Sequence, residues 1–253
     1  MEATIAADED QRRRLALMVL SSAVWSLLGY EILIAIGSQI AGFHGSANAA
    51  SEAFWLPWWD MDHPRSGLYM AMMLAGGTAA LVAYLRIAGV TRAALPIGSL
   101  GLPILGAVLA AVLIDMFAWQ VIVNLTTSLD AEGALLNERE GYTYTLTPAH
   151  LPGEFMWSVV MAPIFEELVF RGLLLGCLLA RGWNPWLAIA VTSAAFAGIH
   201  SQYYLPGLTS VFIGGLLFGW LRILSNGLAA PILAHSAMNG WVFFQDWSGI
   251  AQT

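Results

Sequence analysis

The sequence predicts an all-α, polytopic membrane protein: a bundle of about seven transmembrane helices, within a range of six to eight. Of its 253 residues, 58% are hydrophobic and only 11% are charged, whereas a soluble domain carries about 25% charged residues. The mean hydropathy is +0.68. Apolar runs recur along the whole chain, and a run of about 20 residues is long enough to cross a bilayer as a helix.

The apolar runs and the polar stretches between them divide the chain into four parts. We expect a cytoplasmic tail at 1–14, transmembrane helices over 15–125, a polar extracytoplasmic loop at 126–154, and a membrane core at 155–253 that carries the chemistry. The helices before the loop are predicted at 15–41, 67–88 and 100–125. Those after it are predicted at 155–180, from 186 to about 203, at 208–224 and at 228–247.

Arginine positions predict the orientation of the chain. All ten basic residues are arginine, and Arg12, Arg13 and Arg14 precede the first apolar run, which is too long for a cleaved signal peptide. Because short cytoplasmic loops are rich in basic residues, the N-terminus is predicted to be cytoplasmic. The absence of lysine together with abundant Ala, Trp and Gly suggests a GC-rich bacterial genome, and hence the bacterial inner membrane.

The most informative stretch is MAPIFEELVFR, residues 161–171, where three charged residues interrupt an apolar run. A charge at mid-bilayer costs at least ~2.5–3.5 kcal/mol, so each must be paired, hydrated or functional. Glu167 and Arg171 are four residues apart and share a helix face, which predicts an ion pair. Glu166 points about 140° away from Arg171 on the same helix. It is therefore expected to be a desolvated carboxylate that arginine does not hold.

Three further polar residues lie in the predicted helices that follow. His200 ends the stretch FAGIH, and His235 and Asn239 lie four apart in HSAMN, on one face of their helix. Counting along the three helices at ~1.5 Å per residue places these side chains and Glu166 at similar depths in the membrane. Such a group suits hydrolysis of a carbonyl: a carboxylate and an imidazole activate water, and hydrogen-bond donors stabilise the oxyanion.

The motifs EELVFR, FAGIH and HSAMN match EExxxR, FxxxH and HxxxN of the CPBP family, the intramembrane glutamic endopeptidases that include CAAX proteases and bacteriocin-processing proteins. The resemblance covers about 161–240, with the motifs in the family's order on three apolar helices. It implies that Glu166 activates water with the help of His200, and that His235 and Asn239 form the oxyanion site. It also implies that Glu167 and Arg171 are a supporting pair, and that neither a metal nor another cofactor is needed.

Other functions remain open on the sequence alone. Two histidines and two glutamates could bind zinc in a metalloprotease, although no HExxH helix occurs. A non-catalytic scaffold or immunity protein could use the same fold. A proton-coupled transporter could use Glu31, Asp115 and Glu166 as a relay, but it would be expected to have an inverted repeat. Serines could be proposed as nucleophiles, yet serines in transmembrane helices usually bond a backbone carbonyl; these are Ser193, Ser201 and Ser236.

The expected partners are the lipid bilayer and a membrane-anchored protein or peptide; no nucleic-acid partner is expected. The substrate stays open between a prenylated CAAX-like tail, a membrane-anchored peptide or pheromone precursor, and a bacteriocin-type leader. Two GxxxG pairs, Gly172 with Gly176 and Gly215 with Gly219, predict close helix packing within the chain. The single cysteine, Cys177, is expected to be a packing residue.

Overall fold

The computed structural model of the protein describes residues 66–129, 147–200 and 202–250, together with seven residues between 13 and 21. Glu31, Ser201, most of the predicted first transmembrane helix and residues 130–146 of the predicted loop lie outside the described residues. The elements that the described residues form are all helices, which confirms the all-α class. They are α1 (Ser66–Ile87), α2 (Thr91–Ala94), α3 (Leu102–Leu129), α4 (151–180), α5 (Pro185–Gly198), α6 (Leu205–Leu224) and α7 (Ala229–Ile250).

Helix α4 carries the glutamate motif and is not a regular α-helix. It passes through five consecutive segments, two of which are π-helical; in order they are Leu151–Glu154, Phe155–Met161 (π), Ala162–Glu167, Leu168–Leu174 (π) and Leu175–Ala180. The N–H of Ala162 bonds the carbonyl of Trp157, five residues back. Pro163 has no N–H to give, so an ordinary α-helical bond is missing at this point. Short π segments inside α-helices are frequent at functional sites.

Three described helices are long and apolar enough to cross a membrane, namely α1, α3 and α6. Each lies close to a predicted transmembrane segment, and the protein is a multi-pass membrane protein. The predicted segment from 186 to about 203 is wrong at its end, because α5 stops at Gly198 after 14 residues. The chain then turns, with the N–H of His200 bonded to the carbonyl of Ala197. The total number of transmembrane helices stays a prediction.

Both described ends of the predicted loop 126–154 are helical. Helix α3 continues to Leu129, and the Ser128 hydroxyl donates to the carbonyl of Leu125 at 2.7 Å, so this polar residue bonds its own helix. At the other end α4 begins at Leu151, with Pro152 in its first turn. Proline is favoured there because the first turn leaves its N–H groups unbonded in any case. The predicted loop 126–154 therefore extends too far at both of these ends.

The packing of the helices puts α4 in contact with the elements that carry the other motifs. Helix α4 packs against α1, α5 and α7, and α6 packs against α3, α5 and α7. The buried core follows α4, with Leu168 and Leu173 contributed by α4, Leu81 and Leu85 by α1, and Phe218 by α6. Cys177 is part of this core, as predicted.

Glycines let the helices around α4 approach closely, as the GxxxG spacing predicted. A Cβ on Gly215 of α6 would lie 2.9 Å from the Cβ of Ser193 in α5, and one on Gly219 would lie 2.8 Å from Ile189. A Cβ on Gly172 of α4 would lie 2.9 Å from the carbonyl oxygen of Ala94 in α2. Real Cβ atoms do not approach other atoms this closely, so the helices can pack in this way only because glycine has no side chain at these positions.

Candidate active site

The predicted ion pair between Glu167 and Arg171 is present in the centre of the protein. Arg171 Nη1 donates to Glu167 Oε1 at 3.0 Å, and both side chains are 0% exposed. Arg171 Nη2 donates to the carbonyl oxygen of Gly215 in α6, also at 3.0 Å. A hydrogen bond to a charged group is roughly twice as strong as a neutral one. Arg171 therefore ties α4 to α6 as well as neutralising Glu167.

Two aromatic rings enclose the guanidinium of Arg171. Its Cζ lies 4.5 Å from the ring centroid of Phe196 in α5 and 5.2 Å from that of Phe218 in α6. A guanidinium within about 6 Å of an aromatic face is attracted by the negative face of the ring. The pair is therefore held among apolar groups, and its supporting role stays a prediction.

His235 of α7 lies between the two glutamates. Its Nδ1 is 3.0 Å from Glu167 Oε1, the oxygen that Arg171 also contacts, and its Nε2 is 3.7 Å from Glu166 Oε2. A carboxylate oxygen only accepts, so Nδ1 carries the hydrogen and Nε2 faces Glu166. The ring stacks on Phe218 at 4.6 Å between centroids. The contact of one imidazole with both carboxylates was not predicted from the sequence.

Glu166 differs from its neighbour in exposure and in contacts. Its side chain is 22% exposed, whereas that of Glu167 is fully buried. Its Oε2 contacts Nε2 of His235 in α7, whereas Arg171 bonds Glu167. The structure thus separates one glutamate fixed in a buried network from a second one whose side chain is partly exposed.

His200 lies near this group at the end of α5. Its Nδ1 is 2.8 Å from the carbonyl oxygen of Phe196, and since a carbonyl only accepts, Nδ1 carries the hydrogen of the neutral ring. Its Nε2 is then the nitrogen that can take a proton. The ring of Phe196 contacts His200 at 4.8 Å and His235 at 5.8 Å between centroids. One phenylalanine thus joins the histidines of two motifs to the arginine of the third.

Asn239 is bonded to the first π segment of α4. Its Nδ2 donates to the carbonyl oxygen of Ser158 at 2.8 Å. The pairs Asn239 with Ser158 and His235 with Glu167 show that α7 runs antiparallel to α4. An amide group has two N–H donors, so the bond to Ser158 fixes the group and leaves a second donor.

Two other sequence candidates, Asp115 and Ser193, have different contacts. Asp115 of α3 faces α6, where its Oδ1 is 3.4 Å from the position that a Cβ on Gly214 would take. Ser193 is fully buried and donates to the carbonyl of Ile189 at 2.7 Å, as expected for a serine in a transmembrane helix. In the part of the chain that the structure describes, no three His, Cys, Asp or Glu side chains are grouped to hold a metal ion.

Helix α6 contributes to the site in a way that was not predicted from the sequence. Gly215 supplies the carbonyl that Arg171 bonds, and Phe218 covers both Arg171 and His235. The GxxxG pair Gly215 and Gly219 predicted that α6 packs closely against another helix. It did not predict that the carbonyl of Gly215 would accept a hydrogen bond from Arg171.

The part of the chain that contains the three motifs matches a known protein family. Residues 148–241 match the Rce1-like family, described as type II CAAX prenyl endopeptidase Rce1-like. The match covers 94 of the 253 residues of the chain. The match includes the six residues predicted from the three motifs, so the family resemblance seen in the sequence is confirmed. The description of the family points to a protease.

A curated relative matches part of the same chain. It is an uncharacterised 24.3 kDa protein of Escherichia coli, 41% identical over 78 residues, which are 30% of this chain and 36% of that protein. The chain thus spans about a third of the length of the curated relative it matches. No solved structure matches the chain significantly.

Proposed function

We propose that the protein is an intramembrane endopeptidase that hydrolyses a peptide bond with water activated by Glu166. The observation that supports this is the different surroundings of two adjacent glutamates. Glu167 is fully buried and bonded to Arg171 and His235, while the side chain of Glu166 is partly exposed and faces an imidazole nitrogen. A buried glutamate such as Glu167 is suited to a supporting network. A general base must reach water, and of the two only Glu166 is partly exposed.

In the proposed reaction, the carboxylate of Glu166 takes a proton from water as the water oxygen attacks the carbonyl carbon of the substrate. The C–N bond then breaks, and the same proton passes to the departing amine. Positioned acid–base groups accelerate such steps by about 10²–10⁴-fold. His200 Nε2 can share the proton, because Nδ1 is occupied by the carbonyl of Phe196.

We propose that His235 and Asn239 donate hydrogen bonds to the oxyanion of the tetrahedral intermediate. Glu167 fixes Nδ1 of His235 at 3.0 Å, so Nε2 is the ring nitrogen that would donate to the oxyanion when it carries a hydrogen. The bond from Asn239 to the carbonyl of Ser158 fixes its amide, whose second N–H can donate as well. Donors fixed before the reaction stabilise developing charge without having to reorganise.

The proposed substrate is a membrane-associated peptide or protein tail. Helices packed around the site are exposed to lipid on their outer faces, so a substrate anchored in the same bilayer can reach the site by lateral diffusion. The Rce1-like description favours a peptide bond close to a lipid-modified tail. We propose the bacterial cytoplasmic membrane as the location, with the N-terminus on the cytoplasmic side, on the arginine bias described above.

The test is cleavage of a library of membrane-tethered peptides by the purified protein in lipid vesicles. Glu166→Gln is compared with Asp246→Asn, a change of the same kind at an exposed carboxylate on α7. Cleavage by the wild type and by Asp246→Asn, but not by Glu166→Gln, would support the proposal. Loss of cleavage on addition of a strong chelator, restored by zinc, would replace it with a metalloprotease. Absence of cleavage across the library would favour a non-catalytic scaffold.

A further inference from the structure

The first π segment of α4 is followed by a proline that changes the hydrogen bonds of the helix. In the π register, the N–H of Ala162 bonds the carbonyl of Trp157, five residues back. The next bond of this register would join residue 163 to the carbonyl of Ser158, but Pro163 has no N–H. Residues 162 and 163 are the two positions that close an α- or a π-helical bond to Ser158. Neither of them donates to its carbonyl.

The carbonyl of Ser158 accepts its hydrogen bond from α7 instead. Asn239 Nδ2 donates to it at 2.8 Å. Helix α7 packs directly on the π segment at this level, since a Cβ on Gly240 would lie 3.6 Å from Cγ1 of Val159, an ordinary van der Waals contact. A backbone carbonyl among apolar groups needs a donor. The carbonyl that the proline leaves without a donor in its own helix is therefore the one that holds Asn239.

The proline also affects the direction of the Ser158 carbonyl. In a regular α-helix the N–H of residue 162 would bond this carbonyl and hold it along the helix axis. Without that bond the carbonyl can turn towards a side chain of another helix, which is how backbone groups freed by prolines in membrane helices find partners. Pro163 is fully buried, and Glu166 follows it by three residues. One short stretch of α4 thus carries the proposed base and holds the proposed oxyanion donor.

We propose that Pro163 is a positioning residue for Asn239. It leaves the carbonyl of Ser158 to accept one N–H of the Asn239 amide, and this bond directs the second N–H of the amide towards the oxyanion. Pro163 touches no reacting atom and acts only through Asn239. The hydrogen bond depends on the geometry of α4 and α7 alone, whereas its effect on catalysis rests on the proposed function.

The first test compares unfolding temperatures in detergent of the wild type, Pro163→Ala, Asn239→Ala and the double variant. Alanine at residue 163 supplies an N–H and favours a regular helix, so the carbonyl of Ser158 gains a donor in its own helix. Asn239→Ala should then lower the unfolding temperature of Pro163→Ala by at most about half as much as it lowers that of the wild type, because the two changes affect one hydrogen bond. Equal lowering in both backgrounds would overturn the proposal.

The second test measures kcat and KM for cleavage of a membrane-tethered peptide in lipid vesicles. For Pro163→Ala, kcat should fall at least about tenfold, towards the roughly 10²–10³-fold that loss of an oxyanion donor costs. KM should stay unchanged, because the oxyanion forms only after the substrate is bound. The control is Pro103→Ala in the first turn of α3, where the N–H that proline lacks would have no partner in the helix. This control should cleave like the wild type.

The two tests separate the hydrogen bond from its role in catalysis. Coupled unfolding temperatures together with a wild-type kcat in Pro163→Ala would overturn the positioning role, as would an equal fall of kcat in Pro103→Ala. Absence of cleavage by the wild type would overturn the proposed function and the positioning role together, while the unfolding temperatures still decide whether the hydrogen bond depends on Pro163. If Asn239→Ala does not fold, Asn239→Leu replaces it, since leucine is similar in size and has no side-chain N–H.

Discussion

Glu166 and Glu167 differ mainly in which groups surround them. Glu167 shares one oxygen with Arg171 and His235, while its Oε2 and the Nε of Arg171 have no hydrogen-bond partner among the described residues. A buried ion pair adds little net stability, because taking both charges out of water costs about as much as their attraction returns. Its members nevertheless depend on each other. The network is better understood as a device that fixes His235 than as a source of stability.

Glu167→Gln should therefore destabilise the protein by about 3–5 kcal/mol, the cost of leaving one buried charge uncompensated. The cause is Arg171, which is 0% exposed and would keep its charge without a carboxylate beside it. Thermal unfolding in detergent, followed by tryptophan fluorescence, measures the effect. Asp246→Asn is the control, and an unfolding temperature of Glu167→Gln as high as that of this control would contradict the prediction.

Contacts between residues of one helix could be predicted from the sequence, whereas contacts between different helices could not. The spacing of four residues predicted the pair of Glu167 with Arg171 because both partners lie on one helix face. The bond of Arg171 to the carbonyl of Gly215 and the contacts of His235 with the two glutamates depend on how α6 and α7 pack against α4. Nothing local in the sequence specifies that packing.

Among the elements, α4 and α6 determine the geometry of the site. The second π segment of α4 contains Arg171, and the glycines of α6 bring its backbone close enough for the arginine to bond Gly215. The sequence predicted both helices and the close packing, but not the π segments, which change the register of a helix without changing its apolar pattern. It also extended α5 beyond Gly198 to about residue 203, although the sequence becomes polar at His200 and Gln202.

Gly215→Ala should destabilise the protein by about 1–3 kcal/mol, the usual cost of extra atoms in a close-packed interior. The new Cβ would lie 2.9 Å from the Cβ of Ser193, so α5 and α6 would have to separate. The matched control is Gly106→Ala in α3, where a Cβ meets nothing within 4 Å. Because alanine favours helix more than glycine does, the control should be neutral or slightly more stable.

The double variant Gly215→Ala/Ser193→Gly decides whether this contact is the cause. Removing the Cβ of Ser193 should recover part of the lost unfolding free energy, since the two changes affect the same contact. Strict additivity of the two single variants would contradict the explanation. All the variants are compared by their unfolding temperatures in the same detergent.

At the scale of the whole molecule, the outer faces of the helices are apolar. Helix α3 exposes large hydrophobic side chains along its length, from Leu102 through Leu109, Phe117 and Leu125 to Leu129. Exposed apolar surface of this extent marks contact with another apolar phase. Composition and hydropathy were sufficient to predict this property, because a membrane protein has apolar residues both in its core and on its surface. The exact number of transmembrane helices needs the packing of the whole chain.

Phe117→Arg should impair membrane insertion much more than Leu129→Arg. Phe117 is 71% exposed near the middle of α3, where an arginine costs about 2.5–3.5 kcal/mol. Leu129 is 87% exposed but ends the helix, where an arginine side chain can reach the headgroups. The measurement is the fraction of each protein that resists alkaline extraction from membranes. Equal extraction of the two variants would contradict the placement of α3 across the bilayer.

The central claim is that Glu166 does the chemistry while Glu167 maintains the structure. Its most direct test measures, for Glu166→Gln, the rate of peptide cleavage per folded molecule together with the unfolding temperature. We predict a rate at least about 100-fold below that of the wild type, as expected for loss of a general base, with an unchanged unfolding temperature. A Glu166→Gln protein that cleaves at the wild-type rate, or loses activity only because it unfolds, would contradict the claim.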